Sequence, residues 1–154
     1  MTMDEIIDFV DGLDGVLTVS ATPDDGSSPE VSWGDTFFFY APDGVMPTAT
    51  QPFATVVTKN LPGDELSQLD RPGVFRVNIA VGKEEFARRT GYPAREFPVA
   101  GTDPSAADTL MAHPVYGAQG WLAVVNPDEH TGAATLELLR TAYGLARARY
   151  ERRG

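Results

Sequence analysis

The sequence predicts one α+β domain over residues 1–154: a largely antiparallel sheet of about five strands with the N- and C-terminal helices packed on it. Three observations carry that prediction. Apolar residues recur at helical spacing at both ends of the chain. Between them lie short runs rich in β-branched and aromatic residues, bounded by glycine and proline. No internal repeat, low-complexity tract or linker divides the 154 residues, a length that suits a single core.

The first helix opens on Thr2 with Glu5 three residues on, the pattern of a capping box. Met3, Ile6, Ile7, Val10 and Leu13 then form one apolar stripe. Asp4, Glu5 and Asp8 crowd the end where the helix dipole favours negative charge, and Gly12 and Gly15 bracket the stop. Residues 15–21 (GVLTVSA) read as a strand, followed by a turn-rich loop at 23–29. Residues 36–40 (TFFFY) read as a strand covered on both faces or lying at an interface. A turn at 42–44 leads to a third strand at 53–59, with Phe53, Thr55, Val57 and Lys59 on one face. Pro62, Gly63 and Pro72 leave room for no more than a helical turn in 60–72. In 74–81, Phe75, Val77, Ile79 and Val81 face one way while Arg76, Asn78 and Ala80 face the other.

A short helix at 83–90, anchored by Phe86 and ended by Gly91, precedes a loop at 92–102. Asp103 before Pro104 reads as an N-cap opening a helix to about Ala112, which His113-Pro114 closes. Residues 121–126 (WLAVVN) form the fifth strand. The closing helix carries Leu136, Leu139, Tyr143, Ala146 and Tyr150 as its apolar stripe, with arginines loading its C-terminal part.

Composition narrows the function. The net charge is −10, with Lys59 the only basic residue in 1–70, and a negative surface repels phosphate backbones. No apolar run approaches the roughly 20 residues that cross a bilayer. The acidic N-terminus does not resemble a secretory signal, so we expect a cytoplasmic protein with no membrane partner. Without cysteine there is no disulfide, thiolate metal site or cysteine nucleophile. His113 and His130 are the only histidines, 17 positions apart, and Asp24-Asp25-Gly26 lacks the rest of a calcium loop. Neither a metal nor a cofactor is expected, and the absence of a GxSxG elbow or a glycine-rich phosphate loop points away from an enzyme.

The polar residues on or beside strands form the candidate ligand-binding set: Asp35, Lys59, Arg76, Asn78, His113, Tyr116 and Trp121, with Arg71 just before the fourth strand. An arginine fork suits a carboxylate or phosphate, and the aromatics suit a planar molecule. The competing reading is that Arg76 pairs with Asp35 or Asp70 and holds the sheet together, since buried charges demand partners. His113 has two readings as well: a general base, or a helix-ending residue with its ring bonded locally. The run Trp33, Phe37, Phe38, Phe39 and Tyr40 is either core or an interface patch, and it leans towards a homodimer through that strand.

The segments WGDTFF (33–38), PFATVVTK (52–59), LDRPGVFRVNI (69–79), HPVYG (113–117) and GW (120–121) resemble a bacterial family of unknown function. More remotely, the order of elements is similar to the MmcQ/YjbR-like proteins, where an early helix and an antiparallel sheet precede a tryptophan-bearing strand and a last helix. That resemblance implies a secretion-chaperone-like fold and a double-wing mode of DNA binding, yet the chain holds only Lys59 and Lys83 as lysines. Neither resemblance implies a catalytic residue. The expected function is a non-catalytic domain binding a small ligand or a protein partner through the Arg76/Asn78 face. The alternative is a nucleic-acid-associated regulatory protein using the arginines from Arg140 to Arg153.

Overall fold

The structure, a computed structural model, describes residues 1–22 and 33–153. The turn-rich stretch at 23–29, with Asp24-Asp25-Gly26, lies outside the described residues. Helix α1 (Met3–Asp11) leads into strands β1 (Val16–Ser20), β2 (Thr36–Tyr40), β3 (Ala54–Val57) and β4 (Arg76–Ala80). Helix α2 (Gly82–Thr90), strands β5 (Leu110–Ala112) and β6 (Trp121–Val125), and helix α3 (Gly132–Arg153) complete the fold. The six strands form one sheet in the order β1-β2-β3-β4-β6-β5, with every pairing antiparallel.

The capping box is present: Thr2 Oγ1 accepts from Glu5 N at 3.1 Å, and Glu5 Oε1 accepts from Thr2 N at 3.2 Å. Ile6 and Val10 are the fully buried part of the α1 stripe. They pack with Phe38, Val56, Val77, Ile79, Leu122, Phe86, Leu138 and Leu139 in the main apolar core. Each such large apolar side chain contributes roughly 1.5–3 kcal/mol on burial. All three helices therefore serve one face of the sheet, and loops close the other.

Four expectations are corrected here. Residues 103–112 do not form a helix. Asp103 accepts from Ser105 N at 3.0 Å, but this local turn does not propagate, and Leu110–Ala112 pairs with β6 instead. The edge of β6 offers unpaired backbone groups, and the pairing packs Leu110 and Ala112 against the helix-side core while burying Met111. In α3 the buried residues are Gly132, Thr135, Leu138, Leu139 and Ala142, so the stripe is rotated from the expected one, whose Leu136, Tyr143 and Ala146 pack half-buried against the same core. Tyr143 and Tyr150 flank it and meet Tyr40 edge-on, at 5.8 and 5.2 Å between ring centroids.

Phe53 lies outside β3 and joins Phe38 and Tyr143 on the helix side, not Thr55 and Val57. Lys59 lies beyond the end of β3. The two faces of the aromatic strand are both covered within the chain. Phe38 and Phe39 are buried, and Phe37 and Tyr40 are half-buried. Among the described residues no helix is long and apolar enough to cross a membrane.

Candidate functional site

Strict alternation in β4 sends Val77 and Ile79 into the helix-side core and Arg76 and Asn78 to the loop side. Register then fixes their neighbours. Asn78 lies opposite Thr55 of β3 and Ala123 of β6, and Arg76 opposite Val57 and Val125. Phe37 of β2 lies opposite Thr55, which places it in the same row. Ala80 pairs with Trp121, extending the row of loop-side positions along β4.

Arg76 is only 1% exposed, so each guanidinium hydrogen needs an acceptor. Nε donates to Asn78 Oδ1 at 2.7 Å, and the Asn78 amide in turn donates to Thr55 Oγ1 at 2.9 Å. Nη1 donates to Asp64 Oδ1 at 3.0 Å and to Ser67 Oγ at 2.9 Å. Nη2 donates to Asp64 Oδ2 at 2.5 Å. The pairing predicted for Arg76 exists, but its partner is Asp64, not Asp35 or Asp70. Burial pushes the Asp64 carboxyl up, yet the hydrogen bonds and charge of Arg76 outweigh it and hold the group below its ordinary value.

The loop at 60–71 is built to deliver Asp64 and Ser67. Pro62 and Gly63 occupy the middle of a type II turn, with φ of +79° at Gly63 and a 2.9 Å bond from Asp64 N to Leu61 O. Asn60 Oδ1 accepts from Leu69 N at 2.9 Å and its amide donates to Asp70 Oδ2 at 3.2 Å, closing the loop on itself. Arg71 donates to the carbonyls of Gln68, Ser67 and Ser105, so it fastens this loop and does not point at a ligand position.

His113 follows β5, and its backbone N donates to Trp121 O at 3.0 Å. Its Nδ1 accepts from Val115 N and Tyr116 N, both at 3.0 Å, and its Nε2 stands 3.2 Å from Arg76 Nη2. The ring is bonded locally, as one reading expected, although it ends a strand and not a helix. Burial, with the nearby Arg76 charge, pushes its pKa down to about 3 against the opposing pull of Asp64. Tyr116 and Trp121 stand around it, with ring centroids 5.0 and 6.5 Å from that of His113. The turn that carries Tyr116 requires Gly117, where a Cβ would come within 2.5 Å of the Phe97 ring.

These groups line a cavity of about 260 Å³, walled also by Phe37, Val57 and Leu61. Five predicted residues meet there: Arg76, Asn78, His113, Tyr116 and Trp121. Asp35 and Lys59 do not line it. Buried Asp35 accepts from Thr58 N at 2.9 Å and Thr58 Oγ1 at 3.1 Å, and burial raises its pKa despite those bonds. Lys59 Nζ donates to the Trp33 carbonyl, and Lys59 with Arg71 borders a separate cleft. Asp64, Ser67, Thr55 and Phe37 were missed. A buried arginine signals a carboxylate partner, but residues 60–72 hold three acidic residues and no local pattern selects among them.

Two larger clefts, of about 780 and 790 Å³, lie by the end of α3 and beside Arg71, and none of their polar side chains is buried. The small cavity differs in having Asp64, Arg76, Asn78 and His113 all buried in its wall. Among the described residues no group of three or more histidine or acidic side chains is placed to hold a metal ion. Three of the five arginines of α3 have partners inside the chain: Arg140 lies over the Phe9 ring, Arg147 pairs with Glu151 at 2.8 Å, and Arg153 donates to Thr50 Oγ1 at 2.9 Å.

The whole chain, residues 1–154, matches a family of unknown function, DUF6194. No curated protein and no solved structure matches it, so the likeness to MmcQ/YjbR-like proteins gains no support from them.

Proposed function

The chain belongs to the DUF6194 family of unknown function, and we propose that it is a non-catalytic binding domain whose loop-side cavity takes a small, planar ligand. The observation that carries this reading is the concentration of four buried polar side chains in the wall of one cavity, beside the aromatic rings of Phe37, Tyr116 and Trp121. Such a mixture of apolar wall and few fixed polar groups is how ligand sites are built. The volume suits a molecule smaller than a drug.

The reading does not include the anionic ligand that an arginine fork would suit, because both oxygens of Asp64 already take that fork. A catalytic role for His113 is not part of the reading, since its Nδ1 is engaged by two backbone N–H groups. Residence in the cytoplasm is proposed with it, and the lack of cysteine fits such a reducing compartment.

A thermal-shift screen against small planar metabolites tests the proposal, because a ligand that binds only the folded state raises apparent stability. Tyr116 is 50% exposed, so Tyr116→Ala leaves the fold intact while removing one wall of the cavity. The reading predicts hits that this variant loses. Hits that Tyr116→Ala retains in full contradict it.

A further inference from the structure

Arg76 and His113 present two N–H groups that share no acceptor among the described residues. Nδ1 of His113 accepts two backbone N–H bonds, so the neutral ring carries its hydrogen on Nε2. That N–H faces Arg76 Nη2 at 3.2 Å, where one of the two Nη2 hydrogens already goes to Asp64 Oδ2. Donor thus meets donor. Asp64 Oδ2 lies 4.0 Å from Nε2, too far for a hydrogen bond. The opposite tautomer is worse, because its Nδ1–H would confront both Val115 N–H and Tyr116 N–H and leave three donors unmet. Arg76 is 1% exposed and His113 2%, so these are buried donors in a cavity wall.

We infer that the cavity selects an uncharged planar molecule bearing a carbonyl oxygen, which accepts jointly from Arg76 Nη2 and His113 Nε2. This rests on the reading of the cavity as a ligand site. An oxygen there satisfies both donors at once. A carboxylate would bring a second negative charge beside Asp64, whose own charge already neutralises Arg76. An uncharged acceptor meets no such repulsion, and the rings of Phe37, Tyr116 and Trp121 suit a flat body behind it.

The test uses the native protein and three matched probes: benzamide, benzoate and toluene. Nitrogen-15 correlation spectra of the imidazole rings identify the His113 tautomer, with His130→Ala assigning the two histidines. The expected result is hydrogen on Nε2 in the free protein, a shift of that resonance on adding benzamide, and benzamide binding about tenfold or more tighter than the other two, the value of one good hydrogen bond. Hydrogen on Nδ1, or benzoate or toluene binding as tightly as benzamide, overturns the inference and leaves the cavity a ligand site. Failure of all three to bind at millimolar concentration overturns the inference together with the proposed function.

Discussion

On the helix side of the sheet, Phe38, Val56, Val77, Ile79 and Leu122 meet Ile6, Phe86 and Leu138 with no charged residue among them. On the loop side of the same strands, Arg76, Asp64, Asn78 and His113 are buried together under residues 60–72 and 113–121. The first arrangement is non-directional, and its contribution scales with area removed from water. The second depends on angles, distances and protonation. Burying an ion pair gains little stability over an apolar replacement of similar volume, because desolvation offsets the attraction. Stability alone is supplied by the helix side, so the buried polar cluster is the part of the fold on which the proposed recognition rests.

The contrast is broken most severely at Arg76. Replacing it by alanine leaves Asp64 buried without its partner and should cost about 3–5 kcal/mol, seen as a large drop in the denaturant midpoint. Arg76→Met combined with Asp64→Leu should recover most of that loss. If the double variant stays as unstable as the single one, the cluster is a source of stability and the contrast fails. On the other face, Ile79→Ala should cost about 2–5 kcal/mol through the cavity it leaves, and no second substitution of a charged group should restore it.

Acid should separate the two faces next. His113 has its pKa lowered from 6.5 to about 3 in the folded chain. Between those values the unfolded chain binds a proton that the native chain does not, so stability falls as the pH falls through that window. The slope is up to about 1.4 kcal/mol per pH unit. Asp64, held below its ordinary value, adds a further loss at the acid end as it becomes protonated. His113→Asn should flatten the dependence between pH 6 and 4 in urea titrations, whereas Ile79→Ala should lower the whole curve without changing its slope.

The smallest effect is expected at Asp108. Its carboxylate accepts from Asp128 N, His130 N, Thr131 N and Thr131 Oγ1, capping the start of α3 from a distant turn. The Thr131 hydroxyl is the main cause of its lowered pKa. Asp108→Ala should lower the melting temperature by less than any change above and leave ligand binding untouched.

The sequence carried the locally determined parts of the fold well. The Thr2/Glu5 box and the Ile6/Val10 stripe are local, and β4 alternates so strictly that Arg76 and Asn78 fall on one face without tertiary information. Chain-distant relations were harder. Asp64 reaches Arg76 because a Pro62-Gly63 turn is folded back by Asn60 and Arg71, and the sequence shows the turn without its direction. Strand β5 was hidden because Asp103-Pro104 imitates a helix start, while the edge of β6 decides the pairing. The clustering of His113, Tyr116 and Trp121 follows from the β5–β6 register, so naming them as candidates did not reveal that they share one cavity with Arg76.

The most direct test of the account is an amide-resolved NMR titration of the native chain with a library of small planar compounds. The account predicts that perturbations converge on residues 113–121 together with Thr55 and Asn78. Convergence on the cleft between residues 41–51 and the end of α3, with the amides of 113–121 unmoved, would contradict it.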